Sequence, residues 1–172
     1  MKNQKIYSLT LSALLCAIAV LIPLISPFRI IIEPASFTLA SHVAVIIAMF
    51  ISPQIGSIVS IGATLGFFFA GFPIVVVARA ASHLIFVIVG AYIFQHKPNI
   101  LHAPKTCIPY VSVLSLLHAL CEVAIVIPFY GFHNNFIYSI FILVGIGTII
   151  HSMIDFFIAI YVYKLLPLKK NL

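Results

Sequence analysis

From Gly71 to Phe94 the chain reads GFPIVVVARAASHLIFVIVGAYIF, long and apolar enough to cross a bilayer, yet it holds Arg79 and His83 one helical turn apart. Comparable apolar runs recur along the whole chain, separated by short stretches rich in proline and glycine. With 63% hydrophobic and 7% charged residues, a soluble fold of 172 residues could not cover its surface with polar groups. The expected class is an all-α integral membrane protein. A barrel would show short strands of alternating polarity rather than unbroken apolar runs.

Six transmembrane helices are expected, at about Tyr7–Ser26, Phe37–Ile51, Ile55–Phe72, Ile74–Phe94, Cys107–Pro128 and Phe136–Leu165. The second and third are short for an upright crossing, and SPQIGS (Ser52–Ser57) marks the turn between them. Residues 1–172 are read as one transmembrane domain, since no linker interrupts them. Six crossings place both termini on one side, and every lysine falls on that side: Lys2, Lys5, Lys97, Lys105, Lys164, Lys169 and Lys170. The opposite loops hold only Arg29 and Glu33 as charged residues. The lysine bias makes both termini and the loop at 95–106 cytoplasmic. It also accounts for the net charge of +6 without a nucleic-acid partner.

The outer loop PLISPFRIIIEPA (Pro23–Ala35) is apolar and fenced by prolines. It is expected to pack on the helices as a lid or as an ordinary interfacial loop, with Arg29 and Glu33 its charged members. Gly62 and Gly66 form a GxxxG that is expected to serve helix packing alone. Cys16, Cys107 and Cys121 show neither metal nor disulfide spacing and read as small buried hydrophobes. The first apolar run is not expected to be a cleaved signal, because its AIA triplet lies inside the hydrophobic core.

Apart from Lys164 at the cytoplasmic end of the last span, only Arg79, Glu122 and Asp155 are charged within the expected spans, and each has a histidine one turn away: His83, His118 and His151. Residues four apart share a helix face, so each helix presents one polar spot. At a rise of 1.5 Å per residue, Arg79 and Glu122 lie about 8 and 9 Å below the outer edge, with His83 and His118 at about 14 and 15 Å. His42 is about 8 Å down by the same count, and His151 and Asp155 fall nearer the middle. A charge at mid-helix costs about 2.5–3.5 kcal/mol even on the gentlest scale, so these groups face a shared interior. Two readings stand: a structural network in which Arg79 pairs with Glu122, or a ligand pocket open to the outside.

Four histidines and two carboxylates also have the composition of a zinc or nickel site, but Arg79 in the same layer repels a cation, and no metal is expected. No HExxH, GxSxG or phosphate loop is present, so neither an enzyme nor a cofactor is indicated. A proton-coupled carrier using the His–carboxylate pairs as relays is a further reading.

Three segments carry a resemblance: EPASFTLASHVAVIIAMFISP (Glu33–Pro53), GFPIVVVARAASHLIF (Gly71–Phe86) and GTIIHSMIDFFIA (Gly147–Ala159). With the size, helix count and outer loop, they resemble the S-components of energy-coupling factor (ECF) vitamin transporters, in the niacin-specific branch. The resemblance implies an S-component bundle in a bacterial cell membrane. It would capture a vitamin from outside and dock on a coupling transmembrane subunit that carries two ABC ATPases. Docking in that family uses an Ala-x-x-x-Ala surface on the first helix, matched here by Ala13 and Ala17. The nickel and cobalt branch needs a histidine after the initiator methionine, where this chain has Lys2.

Under that resemblance the substrate is nicotinate, with pyridoxine or a thiamin precursor as alternatives on the same scaffold. Arg79 would fork the carboxylate. A histidine (His42, His83, His118 or His151) or Asp155 would approach the ring nitrogen, Phe37 would stack on the ring, and Glu122 would balance Arg79.

Overall fold

The computed structural model describes residues 2–32, 35–130, 135 and 137–166. Among the described residues six α-helices make the bundle: α1 (Lys2–Ile25), α2 (Val43–Ile51), α3 (Pro53–Phe69), α4 (Ile74–His96), α5 (Pro104–Tyr130) and α6 (Gly147–Leu165). A wide-turned π-helical stretch, Ile137–Ile146, runs directly into α6, and one 3-10 turn, Pro98–Leu101, precedes α5. Among the described residues four segments are long and apolar enough to cross a membrane: Gln4–Ile25, Ile74–His96, Pro104–Tyr130 and Tyr138–Leu165. With 17 residues, α3 is a shorter apolar helix. Large apolar side chains such as Leu9, Ile25, Phe69 and Tyr161 are exposed on the outside of the bundle, as lipid contact requires.

The expected second span is corrected. Helix α2 has nine residues rather than the fifteen of Phe37–Ile51, a length of about 13–14 Å against a hydrocarbon core of about 30 Å. The chain before it forms an antiparallel hairpin, β1 (Arg29–Ile32) on β2 (Ala35–Thr38), in which Arg29 faces Thr38 and Ile30 faces Phe37. A turn at 39–42 follows, with Ala40 in the left-handed region at φ 65°. The described part of the outer loop thus includes a β-strand, and Phe37 belongs to the strand paired with it. Glu33, the other charged residue of the expected lid, lies outside the described residues.

Residues Val43 to Phe50 of α2 are all buried. A helix apolar on every face belongs inside a bundle, and α2 sits there, in contact with α1, α3, α4 and α6. Ser52 ends α2 in extended backbone, and its hydroxyl accepts the Ile55 N–H at 3.2 Å to cap α3, with Pro53 in the first turn. The expected turn at SPQIGS is this single capping residue.

The GxxxG does serve packing. A Cβ on Gly62 would strike Cys16 Sγ, and one on Gly66 would strike Val20, so the two glycines seat α3 against α1. Gly62→Ile is expected to lower stability by about 1–3 kcal/mol through overpacking. Ile58→Leu on the exposed side of α3 should be neutral. Thermal unfolding of both variants in detergent checks this; equal melting temperatures would remove the glycine contact as the cause.

Candidate functional site

The turn before α2 is held by a side chain from α6. Asp155 Oδ1 accepts the Ala40 N–H at 2.8 Å, and Oδ2 accepts the His42 N–H at 3.0 Å. Oδ2 also lies 2.9 Å from His42 Nδ1. Backbone donors at a helix start have no partner within the helix, and here a buried carboxylate supplies one. Asp155 is fully buried and packed between a turn and a helix that are more than a hundred residues apart in sequence. His151, one turn earlier on α6, approaches Oδ2 at 3.4 Å and shares a 3.1 Å hydrogen bond with Ser41 Oγ.

The second carboxylate, Glu122 on α5, joins the other helices. Its Oε2 accepts from Arg79 Nη2 at 2.9 Å and from Thr148 Oγ1 at 2.6 Å. Its Oε1 faces His118 Nε2 at 3.4 Å and His83 Nε2 at 3.6 Å. Those two contacts lack hydrogen-bond geometry, and both ring nitrogens are buried without a partner among the described residues. Ser152 Oγ lies 3.2 Å from His118 Nδ1 on the far side of that ring. The guanidinium reaches Ser36 O at 3.5 Å through Nη1, and its Nε is buried without a partner among the described residues.

His42 is the meeting point. Its ring centroid is 4.7 Å from that of His83 and 4.9 Å from those of His118 and His151. The expected polar spots of α4, α5 and α6 therefore converge on one cluster, joined by the turn before α2. One expectation is corrected: His42 does not lie above His151 and Asp155 but meets both, beside the rings of His83 and His118. The short α2 begins within the bundle, so the backbone of residues 40–42 meets Asp155 there.

A cavity of about 300 Å³ lies against this cluster. Its walls carry Arg79, His83, Glu122, His42 and His151, and β2 contributes Ala35, Ser36 and Thr38. It extends to Arg29, Phe72 and Tyr130, at the end of the bundle away from the loop with Lys97 and Lys105. His118, Asp155 and Phe37 are not on its wall. The Phe37 ring instead sits 5.3 Å from that of His151 and 5.8 Å from the Arg79 guanidinium carbon, in space left by Gly147. Ala13 and Ala17 are exposed on the outer side of α1, while Ser12, Leu15 and Ala19 of the same helix are buried.

Sequence reasoning missed Thr148, Ser152 and Ser41. The first two had a legible signal: Thr148, Ser152 and Asp155 lie at i, i+4 and i+7 on α6, one buried polar stripe. Ser41 had none, because its contact with His151 depends on the turn.

A helix bundle with an apolar exterior and a largely apolar cavity that carries a cluster of ionisable side chains has the build of a membrane-embedded, solute-handling protein. The niacin transporter NiaX of Lactococcus lactis subsp. cremoris (strain MG1363) is 38% identical over 165 residues, covering 92% of this chain and 74% of that protein. Neither a family model nor a solved structure matches the chain. The chain belongs to the family of that transporter, the S-components of energy-coupling factor transporters.

Asp155→Ala should cost about 3–5 kcal/mol, because it leaves buried backbone donors and an imidazole without their carboxylate. Thermal unfolding in detergent reads this. Wild-type melting would mean that the turn at 39–42 is held by other contacts.

Proposed function

We propose that this chain is the niacin-binding S-component of an ECF transporter in a bacterial plasma membrane, with six helices crossing or entering the bilayer and both termini cytoplasmic. The observation that carries the reading is a buried guanidinium with unused donors on the wall of a small cavity. Arg79 is 7% exposed, its Nε has no partner among the described residues, and its Nη1 contact is long. Buried donors without partners are costly, and a carboxylate from a ligand satisfies them. A volume of about 300 Å³ is at the small end for ligand sites, which suits a single aromatic ring with one carboxylate.

The pyridine nitrogen would then face an imidazole of the wall: His42, His83 or His151. Glu122 holds Arg79 in place, and Asp155 positions His42 rather than touching the ligand. Phe37 supports the guanidinium from behind. The hairpin with Arg29 covers the outer mouth. Val75, Val76 and Phe67 give the ring an apolar face.

Transport in this reading needs partners. The exposed Ala13 and Ala17 form a flat strip on α1 for a coupling transmembrane subunit, whose two ABC ATPases hydrolyse ATP. The chain itself captures the vitamin and catalyses nothing. Niacin crosses only as part of that assembly.

Arg79→Ala is expected to weaken nicotinate binding by about 30-fold or more, roughly 2 kcal/mol, and Arg79→Lys should restore little of it. Nicotinamide, which lacks the carboxylate, should bind wild type more weakly than nicotinate. Isothermal titration of the purified chain measures all three, and undiminished nicotinate affinity in Arg79→Ala would refute the role. Ala13→Trp with Ala17→Trp should leave binding intact and abolish uptake in liposomes containing the ATPase module. Uptake by the chain alone would point to an independent carrier.

A further inference from the structure

We infer that the cluster beneath the cavity is a four-ligand site for a divalent transition-metal ion, built from His42, His83, His118 and Glu122, which leaves His151 as the imidazole free to face the pyridine nitrogen. One ligand-capable atom from each of the four lies within 4.8 Å of the others, and all four residues are buried. Three features of the cluster point to a bound cation.

The first is spacing. Ligand atoms about 2.0–2.1 Å from a tetrahedral zinc are about 3.3–3.4 Å from one another. Glu122 Oε1 stands 3.4 Å from His118 Nε2 and 3.6 Å from His83 Nε2. Neither contact is a hydrogen bond, and both nitrogens are buried without a partner among the described residues. Two imidazole nitrogens aimed at one carboxylate oxygen, at ligand–ligand spacing, suit a shared cation better than they suit each other.

The second is the support behind the ligands. Metal-binding histidines have their other ring nitrogen fixed by a hydrogen bond, very often to a carboxylate. His42 Nδ1 is fixed by Asp155 at 2.9 Å, and His118 Nδ1 by Ser152 at 3.2 Å. Glu122 is oriented in the same way, since Arg79 and Thr148 both hold Oε2 and leave Oε1 toward the histidines. The repulsion expected between Arg79 and a cation is reduced by this arrangement. The carboxylate stands between the two charges, one on each oxygen.

The third is charge. Glu122 and Asp155 outweigh Arg79, so with neutral imidazoles the cluster carries one net negative charge. Nicotinate would add a second in a medium that penalises both. A divalent cation cancels the two. The charge balance rests on the nicotinate reading; the spacing and the support do not.

Zinc is the probe, because three imidazoles and one carboxylate are its ligand set. The full-length chain, purified with a tag free of histidine and stripped by chelator, is titrated with zinc and its metal content measured by mass spectrometry. About one equivalent per chain is expected. Ser152→Ala should bind zinc about 10–100-fold more weakly. Zinc and nicotinate should tighten each other by one common factor of about 5–150, as linkage requires. A stripped wild-type chain that takes up no more zinc than His83→Ala/His118→Ala, and binds nicotinate at full affinity, overturns the metal site and leaves the nicotinate reading standing. Stoichiometric zinc with no nicotinate binding in either form sustains the site and overturns the nicotinate reading instead.

Discussion

Everything in this molecule depends on how it satisfies an interrupted backbone inside an apolar bundle. Within a membrane, unpaired N–H groups find no water, so non-helical chain is tolerated only where protein groups replace that water. The turn at 39–42 meets that condition through Asp155, which takes the N–H groups of Ala40 and His42 and the His42 ring together. That one carboxylate lets α2 begin deep among its neighbours. It also brings His42 into the centre of the cluster and allows the hairpin to form a wall of the cavity.

The second carboxylate does for the helices what the first does for the turn. Glu122 on α5 touches groups from α4 and α6, so its two oxygens set where those polar faces meet. Arg79 and Thr148 occupy one oxygen, leaving the other to the histidines. A structural network and a ligand site are therefore not competing descriptions. Among the described residues the network leaves Arg79 Nε and the Nε2 atoms of His83 and His118 unmatched, and Arg79 and His83 line the cavity. Family membership and this incomplete satisfaction lead to the same reading.

Much of the site is legible in the amino-acid sequence. Three charges inside apolar runs, each with a histidine at i±4, require a common interior, and Arg79/His83, His118/Glu122 and His151/Asp155 do converge. The apolar all-round character of residues 43–50 likewise requires burial. Less legible is the start of α2. Residues 35–42 lead without a break into an apolar run, and pairing with β1 together with a carboxylate 113 positions away in sequence makes a strand and turn the better conformation. The inward stripe Thr148, Ser152 and Asp155 is visible in principle, because helical spacing alone places them together.

Hydropathy, the spacing of ionisable residues and the family resemblance determined by themselves that this is a helical membrane protein with a polar interior, and which ionisable residues furnish it. Those properties are local: they follow from what each segment can expose to lipid. Only the tertiary structure decided that α2 is short, that Phe37 lies behind Arg79 instead of on the cavity wall, and which oxygen of Glu122 meets the arginine and which the histidines. Such choices depend on hydrogen bonds a few ångströms long between segments far apart in the chain, and no pattern within a single segment encodes them.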